Sequence, residues 1–173
     1  MKKILITLAI IIAVISLNKS ETTIIPKESI RFRVIASSNS AEDQNVKKEV
    51  VKELKEEINQ INLIPKDIIQ NRKIIQENIP NIKNRINSTL TRLNVKEDYS
   101  INYGINYFPE KEYKNIIYEE GEYESLVVTL GDGKGDNFWC VLFPPLCLLE
   151  GEDNENEEVE YTSFIKEIID KYF

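Results

Sequence analysis

Cys140 and Cys147 are the only cysteines in a chain without a single histidine. Six residues separate them, two of them the prolines Pro144 and Pro145. The pair is either a disulfide closing a small ring or two buried thiols packing as apolar groups. Nucleophilic chemistry at either sulfur is the weakest reading, because no imidazole is present to generate the thiolate. The same absence excludes the Ser-His-Asp triad, the Cys-His dyad, His-ligated zinc and His-held haem. Two cysteines cannot complete a structural zinc or iron–sulfur site alone. A Ser–Lys dyad needs neither residue type, and Ser37, Ser38 and Ser40 are near one another, but in a loop that reads as a helix cap. Paired carboxylates carry little information in a chain with 29 acidic residues. The residues therefore point away from catalysis and toward a protein that acts by binding, with no catalytic residue, no metal, no cofactor and no small-molecule substrate expected.

The tract Gly131 to Asn137 (GDGKGDN) could suggest a phosphate cradle or a calcium loop. It lacks the spacing of a P-loop and falls between two strand-like segments, not before a helix N-terminus. Asp132, Asp136 and Asn137 lack the order of an EF-hand. The tract is expected to be a hairpin loop whose glycines supply positive φ.

Charge narrows the class further. There are 22 basic and 29 acidic residues, a net of -7. A nucleic-acid binder needs a clustered basic surplus, so no nucleic-acid partner is expected. Lys2 and Lys3 precede a charge-free apolar run, Ile4 to Leu17, of 14 residues. That is short for a membrane span and right for a secretory h-region. Residues 1–20 are read as a signal peptide or an uncleaved signal anchor, with Glu21 onward exported. The part beyond residue 20 then holds 19 bases against 29 acids, a net of -10.

The elements that position these residues follow from periodicity. Ile30 to Ala36 (IRFRVIA) alternates as a strand with Phe32 and Val34 on the buried face. Arg31 and Arg33 fall on the opposite face, away from that core. Ser40 with Asp43, or Ser38 with Glu42, caps a helix over residues 43–61 whose stripe is Val46, Val50, Leu54, Ile58 and Ile61. The lysines and glutamates between them read as solvated surface. A second helix is expected over Lys66 to Glu77, with Ile68, Ile69 and Ile75 inward. A third starts at Pro80 and buries Ile82, Ile86, Leu90 and Leu93. Strands are expected at Tyr99 to Phe108, Glu124 to Leu130 and Phe138 to Phe143, the last stopped by Pro144. Phe138 to Leu149 (FWCVLFPPLCLL) is core lining or a docking surface. Residues 150–160 hold seven acids and read as a flexible linker, and residues 161–173 as a short amphipathic helix. The expected fold is α+β: an N-terminal strand and three helices on a mostly antiparallel sheet, a single domain over residues 28–149, then the linker and last helix.

Three blocks carry a resemblance: Ile30 to Ser40 with Asp43-Gln44, Gly121 to Glu124, and Gly131 to Cys147. Tyr107 to Tyr113 (YFPEKEY) adds to them. Together they resemble the stage II sporulation protein R family across about residues 30–147. Trp139 to Cys147 is the most specific block; Phe138 stands where the family usually carries a first tryptophan. The resemblance implies a signal secreted by the forespore into the space between forespore and mother cell. There it would activate a membrane-embedded aspartic protease that processes the precursor of sigma E, as a ligand and not an enzyme. The rival reading is an exported Ser–Lys hydrolase. A ligand acts through a contact patch, where Trp and Arg concentrate binding energy. Arg31, Arg33 and Trp139 are the expected partner-binding residues, and Cys140 with Cys147 the structural pair.

Overall fold

The computed structural model describes residues 23–113, 116–148 and 158–173. The expected signal segment and most of the acidic linker lie outside them. The elements run β1 (Thr23–Ile24), β2 (Ile30–Ile35), α1 (Ala41–Asn59), α2 (Ile68–Arg92), β3 (Tyr99–Phe108), β4 (Lys111–Tyr113), β5 (Ile116–Tyr118), β6 (Gly121–Leu130), β7 (Asn137–Phe143), a 3-10 turn (Leu146–Leu148) and α3 (Glu158–Tyr172). The fold is α+β. Among the described residues no helix is long and apolar enough to cross a membrane.

Four strands form the main sheet in the order β3-β6-β2-β7. β3 pairs antiparallel with β6, and β7 antiparallel with β2. The central pair, β2 with β6, is parallel, from Arg31 opposite Ser125 to Ile35 opposite Thr129. A parallel pair needs a crossover, and α1 and α2 lie within it. Both helices cover one face of the sheet. Phe32, Val34, Leu126, Val128, Cys140 and Leu142 meet Val50, Leu54, Ile75, Ile82 and Ile86 there.

Local chemistry starts α1 where expected. The Asp43 N–H donates to Ser40 Oγ at 3.1 Å, which makes Ser40 the N-cap. The two helices expected from Lys66 and from Pro80 are one helix of 25 residues with Pro80 inside it. Pro80 removes the bond to the Gln76 carbonyl, yet both residues are exposed, so water can meet that carbonyl. Ile75, Ile82 and Ile86 are buried on both sides of the break, and their packing holds the helix together through it. Ile69, expected inward, is 75% exposed. Asn71 clips the preceding loop: its side chain accepts from the Ile64 N–H and donates to the Ile64 carbonyl, both at 2.7 Å.

The second face of the sheet is covered at one end, which sequence alternation did not anticipate. A small sheet in the order β1-β5-β4 lies there, with β1 parallel and β4 antiparallel to β5. Ile165 of α3 packs with Ile25, Tyr118, Val141 and Leu146 in a second apolar cluster. Tyr172 and Phe173 meet the Phe143 ring edge-on at 5.6 and 5.5 Å. The segment from Phe138 onward is therefore largely interior, with Cys140, Val141, Leu142, Phe143, Leu146 and Cys147 buried.

Candidate functional site: an arginine–aromatic layer and a lysine-lined groove

The covered face changes the meaning of the β2 arginines. Arg31 points away from the helices, as alternation requires, but is 1% exposed. Its guanidinium carbon lies 3.3 Å from the centroid of Tyr123, 5.3 Å from Phe108 and 5.8 Å from Tyr118. Nη2 donates to the Glu119 carbonyl at 3.3 Å, while Nε and Nη1 have no hydrogen-bond partner among the described residues. Desolvation lowers its pKa from the ordinary arginine value, opposed by the Tyr123 and Tyr118 phenols. Arg31 is thus a buried cation, and its expected exposure is corrected: a second layer of chain sits over it. Arg33 is half-buried, 4.7 Å from the Phe108 centroid, with Nη1 donating to the Tyr107 carbonyl at 3.5 Å. Trp139 is also half-buried, edge-on to Phe108 at 5.3 Å, with the Lys111 ammonium 5.2 Å from its ring. The three residues expected to bind a partner do meet, around Phe108, but Arg31 presents almost none of its surface and Arg33 and Trp139 only part.

Cys140 and Cys147 are joined by a disulfide, with Cα atoms 5.3 Å apart. It ties the middle of β7 to the 3-10 turn beneath the helical core. Among the described residues no group of three His, Cys, Asp or Glu could hold a metal ion.

The other motif segments converge at the C-terminal end of β2. The glycine-rich tract is not a hairpin, because β2 lies between β6 and β7. The tract strides across the end of β2, with Gly131 and Gly133 at φ of 49° and 65°. The Lys134 and Gly135 N–H groups donate to the Ser37 and Ala36 carbonyls at 3.0 and 2.9 Å. Asn39 accepts from the Asp136 N–H at 2.7 Å and donates to its carboxylate at 3.3 Å. Gln44 donates to the Ser38 carbonyl at 2.9 Å. Lys47, 8% exposed, donates to Gln44 Oε1 at 2.6 Å and the Asp136 carbonyl at 2.9 Å. Desolvation pulls its pKa down from the ordinary lysine value, and nearby Asp136 opposes that.

Beyond this interlock a groove of about 450 Å³ opens between α1 and β7. Val51 and Phe138 give it apolar walls, and Lys47, Lys48, Lys52 and Lys55 ring it. The Lys55 ammonium lies 5.2 Å from the Phe138 centroid. By periodicity alone these lysines read as solvated helix surface. The available signal was their spacing, which places them along one flank of α1. Their neighbour, Phe138 of β7, is 83 residues or more away in sequence, and only the fold brings it alongside.

The sequence of residues 26–153 matches the family model described as stage II sporulation protein R. The chain belongs to the stage II sporulation protein R family. It is 35% identical over 138 residues to the stage II sporulation protein R of Bacillus subtilis (strain 168), a match covering 80% of this chain. The chain spans 62% of that relative's length. No solved structure matches. Membership ties the chain to sporulation, and the family span includes the interlocked loops, the disulfide and the groove.

Proposed function

We propose that the chain is an intercellular signal of endospore formation, secreted into the space between forespore and mother cell, or anchored there by its uncleaved leader. It binds the extracytoplasmic part of a membrane-embedded aspartic protease and switches on processing of the sigma E precursor. A ligand of this kind works by differential affinity for the active state of its partner. The observation carrying the reading is the family match over residues 26–153. The engagement of the motif side chains supports it. The Ser38 hydroxyl donates to Asp43, Ser40 accepts the capping N–H, and Lys47 is held by Gln44 and Asp136. A Ser–Lys hydrolase needs the amine on the hydroxyl, so this arrangement weighs against that rival.

The test is co-expression of the full chain with the protease and the precursor. Processing is expected only when the exported chain is present. Equal processing without it overturns the reading, as does substrate turnover by the purified chain alone.

A further inference from the structure

The two flanks of α1 carry opposite charge, and the fold neutralises one of them. Toward α2, Glu49, Glu53 and Glu57 meet Arg85 and Arg92 at 3.1–3.5 Å. Toward β7, Lys48 and Lys52 stand exposed at the groove, and no carboxylate among the described residues is ion-paired with either. Among the described residues Glu56 is the one acid in the lining. This basic, apolar-walled hollow sits on a chain whose net charge is -7. An acidic partner is repelled by most of such a surface and steered to this face.

Two further features mark the groove as a built site. Lys47 at its end is fixed by Gln44 and Asp136, so that end is rigid before any partner arrives. Phe138 is half-buried and offers an aromatic wall to an incoming apolar side chain. Gln44, through Lys47, and Asp136 with Phe138 of the Gly131 to Cys147 block, remote in sequence, both contribute here.

We propose that the groove docks an acidic segment of a partner protein carrying at least one bulky apolar side chain. The apolar group packs on Val51 and Phe138, and the flanking carboxylates pair with Lys48 and Lys52. This rests on the signalling reading and supplies it with a contact surface. A concave, lysine-ringed site with apolar walls on an acidic chain suits a peptide better than a flat anionic membrane.

The experiment uses the purified, disulfide-intact chain and Lys48→Glu/Lys52→Glu. Both positions are exposed, so the melting midpoint should stay near wild type. The probe is a fluorescein-labelled peptide of alternating glutamates with one central phenylalanine, followed by anisotropy at 50 and 300 mM salt. Wild type should bind, more weakly at high salt, and the double variant should bind roughly tenfold more weakly. Equal binding by both proteins, no binding by wild type, or preference of wild type for phosphatidylserine vesicles overturns the proposal. In the co-expression assay, wild type should process the precursor and the folded double variant should not. Processing by both proteins refutes the groove and leaves the signalling reading standing. No processing with wild type refutes the signalling reading, while the peptide result judges the groove by itself.

Discussion

Replacing Arg31 separates a buried structural cation from a surface contact. Truncation to alanine removes two buried methylenes, about 1.6 kcal/mol at ~0.8 kcal/mol each. It also removes the stacking on Tyr123, about 2 kcal/mol for a desolvated pair. The bond from Nη2 to the Glu119 carbonyl adds about 1.5 kcal/mol. Against these stands relief of the unpartnered Nε and Nη1, about 1 kcal/mol each. The balance is a loss of about 3 kcal/mol for Arg31→Ala. Arg31→Met keeps the stem and fills the same slot, so its loss should be about 1.5 kcal/mol. Arg33→Ala, half-exposed, should lose about 1 kcal/mol. Urea unfolding followed by Trp139 fluorescence reads all three. Trp139 is the only tryptophan, and it lies 5.3 Å from the Phe108 ring that Arg31 also meets. An Arg31→Ala midpoint within about 0.5 kcal/mol of wild type would refute the reasoning. So would an Arg31→Met variant as damaged as Arg31→Ala, since the stem would then contribute nothing.

Replacing Cys140 and Cys147 together with serine opens an eight-residue ring and should cost about 2.5 kcal/mol on the chain-entropy model; reductant should bring wild type to the same urea midpoint. Gly135→Ala places a Cβ onto the Ser38 carbonyl, and about 2 kcal/mol of destabilisation is expected, with faster hydrogen exchange at the Lys134 and Asp136 amides. Asn71→Ala strands the Ile64 N–H and leaves its carbonyl only the 3.4 Å bond from the Asp67 N–H, so it should cost about 2 kcal/mol in thermal or urea unfolding. Burial, then the bond to Glu124, raises the Tyr103 pKa above its ordinary 10.0. The folded chain therefore holds that proton longer than the unfolded chain, and stability falls as pH rises past 10. Tyr103→Phe should flatten that fall in urea midpoints taken between pH 9 and pH 11; an unchanged slope would show that Tyr103 does not cause it.

Wherever neighbouring residues set the physics, the sequence was sufficient. The Ser40 cap, the Val46-Val50-Leu54-Ile58 stripe and the run of β3 from Tyr99 to Phe108 depend on periods of 3.6 and 2 and on one local hydrogen bond. The motif blocks were also legible, and with them the family. Three matters waited for the tertiary structure. Pro80 reads locally as a helix start, yet burial of Ile75, Ile82 and Ile86 outweighs one missing hydrogen bond on the wet side. The glycine tract reads as a hairpin, because nothing in residues 131–136 records that β2 pairs between β6 and β7. Arg31 reads as exposed, because alternation assigns a face and not what covers it. Its cover comes from Phe108, Tyr118 and Tyr123, 77 to 92 positions further along. The groove has the same origin: the lysines belong to α1 and Phe138 to β7, and only the β2–β7 pairing sets them side by side.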